Sequence, residues 1–84
     1  MYTKLPALSG RQLLKLLQKD GWTIARRARH GVSLTKRFDD RTRVTVVPTS
    51  RANLDEGTLS AILGPKQTSI GKKGLLEILN KHGF

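Results

Sequence analysis

The chain has 84 residues, with 16 Lys and Arg against 6 Asp and Glu, so its formal net charge is +10. This length suits a single domain over residues 1–84, and the absence of cysteine excludes disulfides and thiolate metal sites. Because no apolar run could span a bilayer and no signal peptide is recognisable, we expect a cytoplasmic protein without a membrane partner. The charge excess favours an anionic partner, with nucleic acid as the first choice.

An amphipathic helix is predicted from Arg11 to Lys19, after an extended lead-in over residues 1–8. Ser9 suits its N-cap, because a hydroxyl can accept hydrogen bonds from the unpaired N–H groups of the first turn. Leucines fall on one side and basic residues on the other, and Asp20-Gly21 ends the helix.

Three strands in a meander follow the helix. Residues Trp22–Arg27 and Val32–Phe38 alternate in polarity, and Arg43–Val47 is rich in β-branched residues and ends at Pro48. The alternation predicts that Val44 and Val46 face the core. The opposite face is then polar and basic, with Ser33, Thr35, Arg37, Arg43 and Thr45.

Two helices are predicted in the remainder of the chain. The first runs from about Asp55 to Leu63 and is broken by Gly64-Pro65, and a linker over residues 66–71 follows. The second has a leucine and isoleucine stripe and is closed by His82-Gly83. The predicted fold is α+β, in the order α-β-β-β-α-α, with a three-stranded antiparallel sheet and its helices on one face.

The densest basic region lies between residues 26 and 51. Such a region favours phosphate binding, although a solvated surface or a docking site for an acidic protein would carry the same charge. Aromatic residues are scarce, so base stacking on the sheet is not expected. The basic residues are Arg26, Arg27, Arg29, Lys36, Arg37, Arg41, Arg43 and Arg51.

His30 is the candidate catalytic residue. A histidine can move protons near neutral pH, and RNA carries its own nucleophile in the 2′-OH, so one imidazole with nearby cations suffices for strand scission without a metal ion or cofactor. The competing interpretation is a structural residue at a strand end, because strict alternation places His30 on the same side as Val32 and Leu34. His82 has an ordinary explanation in the last helical turn, and no metal cluster, catalytic triad or phosphate loop is recognisable.

Several motifs resemble those of the HicA mRNA interferase toxins of type II toxin-antitoxin systems, from Leu8 to about Leu79. Leu8-Ser9-Gly10 and Asp20-Gly21-Trp22 flank the first helix, and Arg26-x-x-x-His30 matches the segment of the family histidine. The clearest match is Val44–Pro48 followed by Leu54-x-x-Gly57-Thr58-Leu59-x-x-Ile62-Leu63. The chain departs from the family pattern before His30, where Ala28-Arg29 replaces Gly-Ser, and at Gly31 and Thr49, where the family tends to carry a second histidine.

The resemblance implies a double-stranded-RNA-binding-domain-like fold used as an endoribonuclease that cleaves single-stranded messenger RNA and inhibits translation. It implies His30 as the catalytic residue and a HicB-type antitoxin that covers the active site. The residues expected to hold RNA are Arg26, Arg27, Arg29, Lys36, Arg37 and Arg43. Two alternatives stay open at this point: a double-stranded-RNA-binding module without catalysis, and a protein whose charge serves to dock an acidic partner.

Overall fold

The computed structural model describes residues 2–49 and 52–83. Ser50 and Arg51 lie outside the described residues, and with them the last arginine of the basic region predicted between residues 26 and 51. The elements follow the predicted order and confirm the α+β class, and the sheet is antiparallel with strand order β1-β2-β3. The elements are α1 (Gly10–Lys19), β1 (Thr23–Ala28), β2 (Gly31–Arg37), β3 (Thr42–Val47), α2 (Glu56–Leu63) and α3 (Gly71–His82).

Helix α1 begins at a reciprocal cap. The Ser9 hydroxyl accepts a hydrogen bond from the Gln12 backbone N–H at 3.2 Å, and the Gln12 side-chain oxygen accepts one from the Ser9 N–H at 3.0 Å. This arrangement satisfies two donors at the helix start and sets where the helix begins. Gly21 follows the helix with φ of 99°, a conformation that favours glycine.

The helices and one face of the sheet enclose a shared hydrophobic core. Leu13 and Leu17 of α1, Leu34 of β2, and Leu75 and Leu79 of α3 are each at most 1% exposed. Burial of this kind is the main favourable contribution to folding. The leucine stripes that predicted the helices are therefore the surfaces that bring them onto the sheet.

Helix α2 is held at its start by one local hydrogen bond and by one contact with the lead-in to α1. The Asp55 carboxylate accepts a hydrogen bond from the Thr58 backbone N–H at 3.0 Å, and hydrogen bonding by Thr58 lowers the pKa of Asp55. Just before it, the Leu54 N–H donates to the Leu8 carbonyl at 2.7 Å. The lead-in to α1 is thereby tied to the entrance of α2.

The prediction for the faces of β3 was wrong. Val44 and Val46 are 51% and 53% exposed, whereas Thr45 and Val47 are at most 1% exposed. Arg43 shares the inner side with Thr45, so neither residue lies on the outer face where the alternation pattern placed them.

The pairing with β2 explains this arrangement. The core residues Val32 and Leu34 stand opposite Val47 and Thr45, and side chains directly opposite in a sheet share a face. The Thr45 hydroxyl donates to the Gln67 side-chain oxygen at 2.6 Å, so burying this threonine leaves no unpaired hydroxyl. The segment between α2 and α3 therefore supplies the acceptor that allows a polar residue inside.

Candidate nucleic-acid interface

His30 lies in a two-residue turn that joins β1 to β2. Ala28 and Gly31 form the last pair of the strand ladder, which leaves Arg29 and His30 as the turn itself. Both side chains are exposed, and neither makes a hydrogen bond or ion pair with the described residues. Strict alternation placed His30 on the same side as the core residues of β2. The alternation begins only at Gly31, however, because His30 belongs to the turn, and its imidazole is exposed to solvent.

Gly31 allows the strands to approach closely behind this turn. A Cβ atom at Gly31 would lie 3.1 Å from Cγ1 of Val46 and 3.2 Å from the carbonyl oxygen of Val47. Such contacts are tighter than ordinary packing, so a side chain here would require Val46 or the backbone at Val47 to shift by a few tenths of an ångström. The glycine next to His30 thus acts by permitting this close approach.

A bulge in β1 determines which arginines accompany His30. Ile24 stands opposite Leu34 and Arg26 stands opposite Ser33, so Ala25 is an extra residue in the strand. Beyond the bulge, Arg26 lies on the outer face with Ser33, and Arg27 lies on the opposite face with Val32. Together with Arg29, these exposed arginines surround the turn on both sides of the sheet.

The other three residues expected to hold RNA lie at the far end of the sheet. Arg37 pairs with Thr42, and Lys36 pairs with Arg43. At the usual rise per residue, the six steps of β2 from Gly31 to Arg37 correspond to roughly 20 Å. The structure therefore places Arg26, Arg27 and Arg29 at the end of the sheet that carries His30, and Lys36, Arg37 and Arg43 at the other end.

Lys36 and Arg43 contact acceptors within the protein. The Lys36 ammonium donates to the backbone oxygen of Asp20 at 2.7 Å and to its carboxylate at 3.3 Å. The Arg43 guanidinium donates to the carbonyl oxygens of Pro65 and Gln67 at 2.9 and 3.3 Å. Both cations also lie within 6 Å of the Phe38 ring centre, at 5.6 and 5.9 Å. These contacts link the sheet to the end of α1 and to the segment after α2.

Replacing Lys36 with methionine is expected to lower the free energy of unfolding by about 1 kcal/mol, because it removes a hydrogen-bonded cation but keeps most of the side-chain stem. Urea denaturation measures this change. Arg37→Gln is the matched control: Arg37 is exposed and should change stability by less than about 0.5 kcal/mol. Unchanged stability of Lys36→Met, with weaker RNA binding, would instead make Lys36 an RNA contact.

A groove of about 490 Å³ lies between α1 and the end of β1 that leads to His30. Arg11 and Lys15 contribute to it, and neither was predicted as a site residue from the sequence. Their spacing of four residues on the polar side of α1 was visible, but only the fold shows that this side meets Arg27. The groove is lined by Arg11, Leu14, Lys15, Gln18, Arg27, Ala28, Val32 and Thr49.

Residues able to hold a metal ion do not come together in the part of the chain that the structure describes. In residues 2–49 and 52–83, no three His, Cys, Asp or Glu side chains form a group that could ligate a metal ion. None of the helices formed by these residues is long and apolar enough to cross a membrane.

The fold and this site define a small, basic α+β protein that presents a histidine and three arginines at the turn end of one β-hairpin. The family model described as "HicA toxin of bacterial toxin-antitoxin" matches residues 10–70, which is most of the chain. The chain therefore belongs to the HicA toxin family, and membership implies a partner of the toxin-antitoxin type. No curated protein and no solved structure matches the chain significantly.

Proposed function

We propose that this HicA-family toxin is an endoribonuclease that cleaves single-stranded messenger RNA in the cytoplasm, with His30 as its catalytic residue. The observation that carries the proposal is the exposed imidazole on the β1–β2 turn, with Arg29 next to it on the turn and Arg26 and Arg27 at the adjoining end of β1. Proton transfer and charge stabilisation are the two contributions that RNA scission requires from a protein. The β1–β2 hairpin carries groups for both.

The reaction uses the 2′-OH of the substrate as nucleophile. Its oxygen attacks the adjacent phosphorus, its proton is removed, and the bond to the 5′-oxygen breaks as that oxygen takes up a proton. The products end in a 2′,3′-cyclic phosphate and a 5′-OH. His30 acts as general base or general acid in one of these two proton transfers, and water completes the other.

The arginines around His30 stabilise the negative charge that develops on the phosphorane. Guanidinium groups suit this task because they offer several N–H donors in a planar arrangement that matches phosphate oxygens. Arg26, Arg27 and Arg29 are exposed and make no hydrogen bond or ion pair with the described residues. Lys36 and Arg43 already contact protein acceptors, so we assign them a smaller part in RNA binding.

We further propose that a HicB-type antitoxin neutralises the protein by covering the His30 turn. The net charge of +10 suits an acidic partner, and the same arginines can pair with carboxylates when RNA is absent. One surface would then serve both substrate and inhibitor.

The test is to incubate the purified protein with end-labelled single-stranded RNA in the presence of EDTA. We expect shortened products with 2′,3′-cyclic phosphate ends, and no cleavage of the same sequence made with 2′-O-methyl ribose, because the nucleophile is blocked. RNA that is retarded on a gel but remains intact would contradict the nuclease. That result would support the alternative, an RNA-binding module without catalysis.

A further inference from the structure

The groove between α1 and β1 carries positive charge on both of its walls. Arg11, Lys15 and Gln18 follow one another at spacings of four and three residues, which places them on one side of the helix. The opposite wall contributes Arg27, and Thr49 lies just beyond β3. No acidic side chain is among the described residues that line the groove.

These cations differ from those at the far end of the sheet. Arg11, Lys15 and Arg27 are exposed and make no hydrogen bond or ion pair with the described residues. Like charges that line one groove repel each other, and a bound polyanion relieves this repulsion. The contrast with Lys36 and Arg43, which hold protein elements together, indicates a site for a ligand rather than a structural cluster.

The floor of the groove is apolar. Leu14 and Val32 lie there, both largely buried, together with Ala28. An apolar floor below cationic walls suits a single nucleic-acid strand, which presents phosphates to cations and sugar or base surfaces to apolar side chains. Gln18 and Thr49 add hydrogen-bonding groups that can reach 2′-hydroxyls or base edges.

The groove adjoins the end of β1 that precedes the His30 turn. Ala28 lines it, and His30 is two residues further along the same hairpin. We propose that this groove binds single-stranded RNA next to the phosphate that is cleaved, with Arg11, Lys15 and Arg27 holding the backbone. The inference rests on the proposed function in taking RNA as the substrate and the His30 turn as the place of cleavage, and it assigns α1 a direct part in binding.

The experiment measures binding without cleavage. The full chain and the variant Arg11→Gln/Lys15→Gln/Arg27→Gln are titrated into a fluorescent single-stranded 2′-O-methyl oligonucleotide at several salt concentrations. We expect the variant to bind at least about tenfold more weakly, since each charge-assisted contact to phosphate is among the stronger hydrogen bonds. Losing three phosphate contacts should also flatten the slope of log K against log salt by about 2.

The matched control removes the same charge elsewhere. Lys66, Lys73 and Lys81 are exposed and belong to the α2–α3 part of the chain. Their triple glutamine variant is expected to weaken binding by less than about threefold, because distant exposed charges are screened by salt. Circular dichroism checks that both variants are folded. Equal losses in the two variants, or unchanged affinity of the groove variant, would overturn the proposal.

Two further comparisons distinguish single-strand binding in the groove from duplex binding and from RNA cleavage. A 2′-O-methyl duplex of the same sequence should bind more weakly than the single strand, and tighter duplex binding would overturn the assignment to single strands. The 2′-O-methyl probe cannot be cleaved, so its affinity reports binding alone. If only the groove variant loses affinity while unmodified RNA stays intact, the proposal of RNA binding in the groove is supported and the proposal of RNA cleavage is contradicted.

Discussion

Replacing His30 with alanine is expected to slow RNA cleavage by about 10²- to 10⁴-fold, the usual contribution of one general acid–base group. The imidazole is exposed and makes no hydrogen bond or ion pair with the described residues, so its removal should leave the fold intact. Single-turnover cleavage of end-labelled RNA measures the rate. The affinity for the 2′-O-methyl oligonucleotide should change little, because Arg11, Lys15 and Arg27 are unaltered.

The matched control is His82→Ala. His82 is also exposed but lies in the last turn of α3, a position where basic residues are favoured by the helix dipole. We expect this variant to cleave RNA at the original rate. Expression in bacteria provides a second readout, in which His30→Ala relieves growth arrest and His82→Ala does not. A His30→Ala protein that cleaves at full rate would remove the basis of the proposed mechanism.

The largest expected effect on stability comes from Leu34→Ala. Leu34 is fully buried on the central strand, opposite Ile24 on one side and Thr45 on the other. Deleting a buried leucine side chain loses its transfer free energy and leaves a cavity, at a total cost of about 2–5 kcal/mol. Small domains are stabilised by only about 5–15 kcal/mol, so the variant should unfold at markedly lower urea concentration.

Val44→Ala is the control on the opposite face of the same sheet. Val44 is 51% exposed and pairs with Thr35 on the outer side. Its truncation should change the free energy of unfolding by less than about 0.5 kcal/mol. Similar losses for the two variants would contradict the assignment of inner and outer faces. Comparing Leu34→Ala with His30→Ala also separates toxicity lost through unfolding from toxicity lost through chemistry.

The helices and their order were predictable because their signals are local. Ser9 with Gln12 sets the start of α1, Asp55 caps α2, and a leucine stripe marks the core side of α1. Such caps and periodicities depend on residues within a few positions of each other. The start of α3 was placed too late, because the predicted linker ran to Gly71 and the helix already begins there. No side-chain cap marks this start in the sequence.

The candidate site could be predicted only in part. The resemblance to HicA toxins singled out His30, but strict alternation placed its side chain towards the core. The direction of the imidazole follows from the two-residue turn between Ala28 and Gly31, and the placement of Arg26 and Arg27 on opposite faces follows from the bulge at Ala25. Turns and bulges shift the alternation by one residue, and such a shift moves every following side chain to the opposite face of the sheet.

The sequence by itself determined the class of fold, the family and the basic character of the surface, because these depend on composition, local periodicity and the order of motifs. Only the tertiary structure decided which side of β3 is buried. Alternation favoured burying Val44 and Val46, yet the register with β2 places Thr45 inside, where Gln67, 22 residues later, accepts its hydrogen bond. In the same way, Lys36 and Arg43 donate hydrogen bonds to residues distant in sequence. The fold also brings Arg11 and Lys15 into one groove with Arg27. The pairing of buried polar groups is a long-range property, so the pattern of a single strand cannot reveal it.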